Sequence, residues 1–191
     1  MLILPRSANT RKPNSLMIVL AVEGEHTEEQ YFKPLRDGKI DLEILSTENG
    51  FSAPQHIEKR MDSFLATNRG LEGGEFWLVL DVDRHHALQE VCQRARQKGY
   101  HLAVSNPCFE LWLWLHLEEV DINQKTCSQL EMALKTRLGG YNKSNLPVED
   151  FHPYMETAIR RAKALPGSHT TPIPIFPGTQ IYQLMERILL S

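Results

Sequence analysis

Two short all-apolar runs, each ending directly in an acidic residue, set the frame of this chain: residues 17–22 (MIVLAV), closed by Glu23, and residues 76–80 (FWLVL), closed by Asp81. Unbroken apolar runs of this length suit strands buried on both faces of a sheet. Between them, residues 27–35 predict a helix with Pro34 near its end, and residues 40–45 a short strand. Residues 53–67 carry Ile57, Met61, Phe64 and Leu65 at helical spacing, and Ser52 is placed to cap that helix. A glycine-rich turn follows at 69–74. Residues 87–98 predict another helix, closed by Gly99, and residues 101–104 a fourth strand. Ser105-Asn106-Pro107 is expected to open a helix with the proline in its first turn. That helix, 108–117, is apolar nearly all round and should be buried.

A strand followed by a helix, four times over, predicts an α/β fold with a mainly parallel four-stranded sheet and right-handed crossovers. After Val120 the pattern changes. Helices are expected at 128–138, 153–165 and 179–190, separated by loops rich in Gly, Pro, Asn and Ser. The organisation expected is an arm (1–16), an α/β core (17–120) and a helical extension packing on that core (121–191).

Composition narrows the functional classes only a little. The chain has 191 residues, 41% of them hydrophobic, enough for a real core. Its net charge of −3 is no global signature of nucleic-acid binding, so any such contact must be local. No apolar run approaches the roughly 20 residues of a membrane span, and the opening thirteen residues are too short and polar for a signal peptide. Arg6, Arg11 and Lys12 in that arm could touch phosphate, although a solvated tail is the plainer reading. Cys92, Cys108 and Cys127 are too few and scattered for a disulfide framework or zinc cluster, and read as buried thiols of a cytoplasmic protein.

The candidate chemistry sits where strands end, because ligands of open α/β sheets collect at the carboxyl edge. Glu23 ends one run. Asp81 and Asp83 follow the other as Asp-Val-Asp, and in an extended backbone both point to one face. Carboxylates gathered at one edge repel, and a hard cation such as Mg²⁺ or Mn²⁺ is their natural neutraliser. Any one of these acids alone, or the Asp-x-Asp alone, reads more readily as a surface turn; their occurrence at two separate apolar strand ends is the sharper signal. Glu110, one turn into the helix after the fourth strand, lies at the same edge. A carboxylate in so apolar a helix needs a partner, unless it only stabilises the helix N-terminus.

These residues carry a resemblance. Val22-Glu23-Gly24 and Leu80-Asp81-Val82-Asp83 are similar to the two acidic motifs of Toprim domains. VEGEHTEEQYF, GFSAP, LDVDRHH, SNPCFELWLWLH, AIRRAKAL and GTQIYQLMERI together resemble the RloB-like family, and SNPCFELW is the most specific of them. The resemblance implies a Toprim-like (Rossmann-like) fold with metal-dependent phosphodiester chemistry, akin to nucleases of OLD-type systems. It also implies a place in bacterial antiviral or restriction loci beside an AAA/ABC-type ATPase. Toprim proteins often carry an acid four residues after the first glutamate. Here Thr27 stands there, with Glu25 and Glu28 close by, and Glu28 is taken as the further metal-ligand candidate. Glu23 could be a ligand or a general base.

The expected site is therefore Glu23, Asp81, Asp83 and Glu110 as catalytic acids, with Glu23, Asp81, Asp83 and Glu28 holding Mg²⁺ or Mn²⁺. Lys143, Arg161 and His85 are the candidate contacts to DNA or tRNA, with Tyr141 available to stack a base. Solvated surface charges are the competing reading for each of these basic residues. His26 could orient phosphate, His116 reads as a core or helix-surface residue, and Cys108 as packing rather than a nucleophile.

HAD-type phosphatases also use Asp-x-Asp, but on their first strand, where this chain has Glu-Gly. A glycosyltransferase is disfavoured by the small size and by SNPCFELW. A non-catalytic metal-binding interaction subunit is the remaining alternative. The chain has no Gly-x-x-x-x-Gly-Lys-[Ser/Thr] loop, so ATP-dependent control would need a partner, for which the apolar 181–190 helix is a candidate docking surface. A homodimer is also compatible with the sequence.

Overall fold

The structure is a computed structural model and describes residues 16–36, 40–47, 50–71, 73–82, 87–120 and 126–190. Asp83, His85 and the residues before Leu16 lie outside this set.

The expected α/β alternation is present. Strands β1 (Leu16–Val22), β2 (Ile40–Leu45), β3 (Glu75–Asp81) and β4 (His101–Asn106) alternate with helices α1 (Thr27–Phe32), α2 (Pro54–Thr67), α3 (Leu88–Gln97) and α4 (Phe109–Leu117). A 3-10 turn at Lys33–Leu35 carries Pro34, so α1 stops where proline would interrupt it. Helices α5 (Cys127–Leu138), α6 (Met155–Ala164) and α7 (Ile181–Leu189) follow.

Among the described residues the sheet has five strands, not four. Its order is β2-β1-β3-β4-β5, where β5 is the two-residue strand Gly178–Thr179, antiparallel to β4. The other pairings are parallel. Thr179 was expected to begin a helix; instead it pairs with Ser105, and their hydroxyls meet at 2.7 Å.

Strand alternation sorts the core into two layers. Ile18, Leu20 and Val22 face α1, α4, α5, α6 and α7, while Met17, Val19 and Ala21 face α2 and α3. Because β2 and β3 flank β1 on opposite sides, the crossovers turn opposite ways from β1. The carboxyl ends of β1 and β3 thus frame the switch point at which ligands of doubly wound sheets bind.

Local details depart from the sequence pattern. Ala53, not Ser52, occupies the N-cap of α2, and no side chain caps it. Pro107 precedes α4 and its N-cap Cys108, so it is not in the first turn. Helix α4 is buried as expected, from Phe109 through His116. Helix α5 opens with a capping box between Thr126 and Gln129 and closes on Gly139 at φ +69°. Cys108 and Cys127, read as separate thiols, are joined in a disulfide with a Cα separation of 5.9 Å, and Cys92 remains a free buried thiol. Sequence spacing could not reveal that α4 and α5 begin side by side.

Candidate active site

Glu23, Glu28, Asp81, Glu110 and Lys143 line one cavity of about 300 Å³ at the carboxyl edge of β1 and β3. Gly24, Glu25, His26, Thr47, Ser52 and the Cys108–Cys127 pair complete much of its wall. Five residues singled out as separate candidates, 120 positions apart at the extremes of the sequence, are thus brought to one place.

Each acid is held by a different element. Glu23 follows β1, is 8% exposed, and its Oε2 accepts the backbone N–H of Asp81 at 2.9 Å. Asp81 ends β3, registered against Ser105 of β4. Glu110 stands in the first turn of α4. An oxygen of Asp81 and an oxygen of Glu110 lie within 4.8 Å of each other and of the Cys108 sulfur. With Cys108 committed to a disulfide, the donors offered are carboxylate oxygens, the set a hard divalent cation takes.

Glu28, on the first turn of α1, turns back toward the strand end. Its Oε1 accepts the backbone N–H of Gly24 at 2.9 Å. A Cβ at position 24 would sit 1.9 Å from Glu28 Oε2, so any side chain there would move this carboxylate from its place. Burial, and then repulsion from Glu110, push the Glu28 carboxyl up to about 7. The Lys143 ammonium in the same cavity lowers it, but by less than burial and Glu110 raise it.

Lys143 is an ion-pair partner rather than a free phosphate hook. Its Nζ lies 2.7 Å from Glu110 Oε1 and 2.7 Å from Glu131 Oε1. Burial works against its charge, but Glu110 and Glu131 outweigh burial and hold the ammonium well above its usual range. Tyr141, expected to stack a base, instead donates its hydroxyl to Glu110 Oε1 at 3.2 Å. Arg161 is not among the residues lining the cavity. It donates from Nη1 to the Leu115 carbonyl at 2.9 Å, beside His116 and Glu149.

His116 is a core residue. Its Nδ1 lies 2.9 Å from the Trp112 carbonyl, which can only accept, so Nδ1 carries the proton and Nε2 accepts from Tyr31 Oη at 3.0 Å. Burial first, aided by the charges of His152 and Arg161, lowers it to about 4.

Sequence reasoning missed the support beneath the site. Arg60 of α2 donates through Nη1 to the carbonyls of Val22 and Leu45, both at 3.1 Å, and through Nη2 to Thr47 Oγ1 at 3.0 Å. Thr47 Oγ1 in turn donates to the Val22 carbonyl at 3.1 Å. An arginine on an amphipathic helix reads as solvated surface, and nothing local marks it as a brace for two strand ends. Glu131, which holds Lys143, was missed for the same reason.

The apolar face of α7, a candidate docking surface, is spent inside the fold. Ile181, Tyr182, Leu184, Met185 and Ile188 are buried, leaving Leu189 and Leu190 exposed. Among the described residues no helix is long and apolar enough to cross a membrane.

Fold and cavity define a doubly wound α/β protein with an acidic pocket at its switch point. The chain belongs to the RloB-like protein family, whose pattern it matches over residues 18–188. Comparison with curated proteins and with solved structures finds no match.

Proposed function

We propose that this chain is a Mg²⁺- or Mn²⁺-dependent nuclease of Toprim type, hydrolysing phosphodiester bonds of DNA or RNA as the effector subunit of a bacterial anti-phage system with an ATPase partner. The observation that carries the reading is the meeting of Glu23, Asp81, Glu28 and Glu110 in one cavity at the switch point. Glu23, Asp81 and Glu110 would hold the ion, and Asp83, two residues beyond Asp81, is proposed to join them. A divalent ion in such a site offsets phosphate charge and makes water more acidic. The chain's own residues supply the rest. Glu28, raised to about 7 by burial and Glu110 in the metal-free protein, is the residue proposed to take up and return a proton, at a value that the bound cation would lower. The Asp81 N–H keeps Glu23 pointed into the cavity. Lys143 brings the positive charge that a phosphate needs. Arg161, beside His116 and Glu149, and His85, outside the described residues, are further proposed contacts to nucleic acid. Cys108 and Cys127, 2% and 5% exposed, form part of the wall of this cavity.

The test is cleavage of DNA and tRNA by the purified chain, alone and with its neighbouring ATPase, in Mg²⁺, Mn²⁺ or EDTA. The expected result is cleavage in either metal, none in EDTA, and none by Asp81→Asn. Full activity in EDTA would overturn the mechanism. Metal binding with no cleavage under any of these conditions would favour the non-catalytic interaction subunit.

A further inference from the structure

The acidic cavity already contains a cation belonging to the chain. The Lys143 ammonium rests on Glu110, whose side chain is 4% exposed, and is anchored from the rim by Glu131. The pair is buried at its Glu110 end only, since the Lys143 side chain is 44% exposed, so solvent screens it in part.

The placement is built rather than incidental. The Lys143 carbonyl accepts from Gln30 Nε2 at 3.0 Å and from Thr27 Oγ1 at 3.3 Å. Three residues on, the Leu146 N–H donates to Gln30 Oε1 at 2.9 Å. The loop is thereby fastened to α1, the helix that also carries Glu28. Tyr141 adds a second donor to Glu110 Oε1. One oxygen of Glu110 thus receives both an ammonium and a phenol, and is no longer an open donor for a second metal ion.

An ammonium carries three protons. Two are directed to Glu110 and Glu131, which leaves one for an oxygen of a bound phosphate.

We propose that Lys143 is the second cation of this site, seated on Glu110, so that the cavity takes one divalent ion instead of two. The proposal rests on the metal-dependent reading above and specifies its stoichiometry.

The test counts Mn²⁺ per chain on the full-length protein, by titration with free Mn²⁺ followed by electron paramagnetic resonance. Wild type is expected to bind one ion. Lys143→Met, which keeps the length and loses the charge, is expected to bind two, and Lys143→Arg one. Thermal melts establish that the variants fold. Independently of any variant, the Lys143 Nζ resonance of ¹⁵N-lysine-labelled wild type is expected to persist at saturating Mg²⁺. Two ions on wild type, a Lys143→Met variant that still binds one, or loss of that resonance overturns this proposal while leaving the metal-dependent reading intact. No binding by any of the proteins overturns both.

Discussion

Glu23 and Asp81, 58 positions apart, are locked together by a hydrogen bond from the Asp81 backbone N–H to Glu23 Oε2 at 2.9 Å. The bond ties the end of β1 to the end of β3 and uses an acceptor that an amide oxygen can also provide.

Glu23→Gln and Asp81→Asn should therefore fold normally and fail in metal binding. The loss expected in Mn²⁺ affinity is at least about tenfold for each, the lower end of what even outer partners of a metal contribute. Paired thermal melts and Mn²⁺ titrations check this. Wild-type affinity in both variants would make these acids structural.

Glu28 gives the metal-free protein a pH dependence of definite sign. Its folded value near 7 lies above the ordinary 4.5, so its contribution to stability is fully present below 4.5 and is lost as pH rises through 7. Glu28→Gln stays neutral and keeps an acceptor for the Gly24 N–H. In EDTA, the melting temperature of the variant should gain on wild type between pH 5 and pH 8. An unchanged gap would show that Glu28 ionises without penalty.

His116 acts with the opposite sign. The fold holds it neutral down to about 4, below its ordinary 6.5. Its contribution is present above 6.5 and is lost as pH falls toward and through 4. At pH 5 wild type should have lost on the order of 2 kcal/mol of this contribution, a loss that His116→Gln cannot show. Urea unfolding of both proteins at pH 7 and pH 5 measures it, and parallel losses would assign the acid sensitivity elsewhere.

Arg60→Met should destabilise the fold by about 1–3 kcal/mol, because it takes the charged donor from the carbonyls of Val22 and Leu45, of which Val22 keeps Thr47 Oγ1. Since those carbonyls stand at the ends of β1 and β2, Mn²⁺ affinity should fall as well. Chemical denaturation and metal titration report the two effects separately. A stable variant with full affinity would reduce Arg60 to a surface residue.

The parts of this fold that were legible in sequence are those whose cause is local. MIVLAV and FWLVL are apolar because both faces of their strands are covered, and the acids that end them fall at the sheet edge for the same reason. Gly178–Thr179 shows no period because two residues cannot, and its pairing with β4 comes from tertiary packing alone. Lys143 and Glu110 meet across 33 positions through a loop fastened to α1, so their charges could be named but not paired. Arg60 and Glu131 sit on helices whose polar faces look solvated until the neighbouring elements are known. The Cys108–Cys127 bridge likewise depends on where α4 and α5 start in space.

Gly24 and Glu28 share a small volume, with room for a carboxylate on one or a methyl group on the other. Substitutions at the two positions are therefore coupled. A descendant that acquires a side chain at position 24 must move or surrender the carboxylate at 28, and one that has surrendered it no longer needs the glycine. Across related chains a side chain at position 24 should therefore accompany a displaced or missing carboxylate at 28, whereas a glycine there leaves both states open.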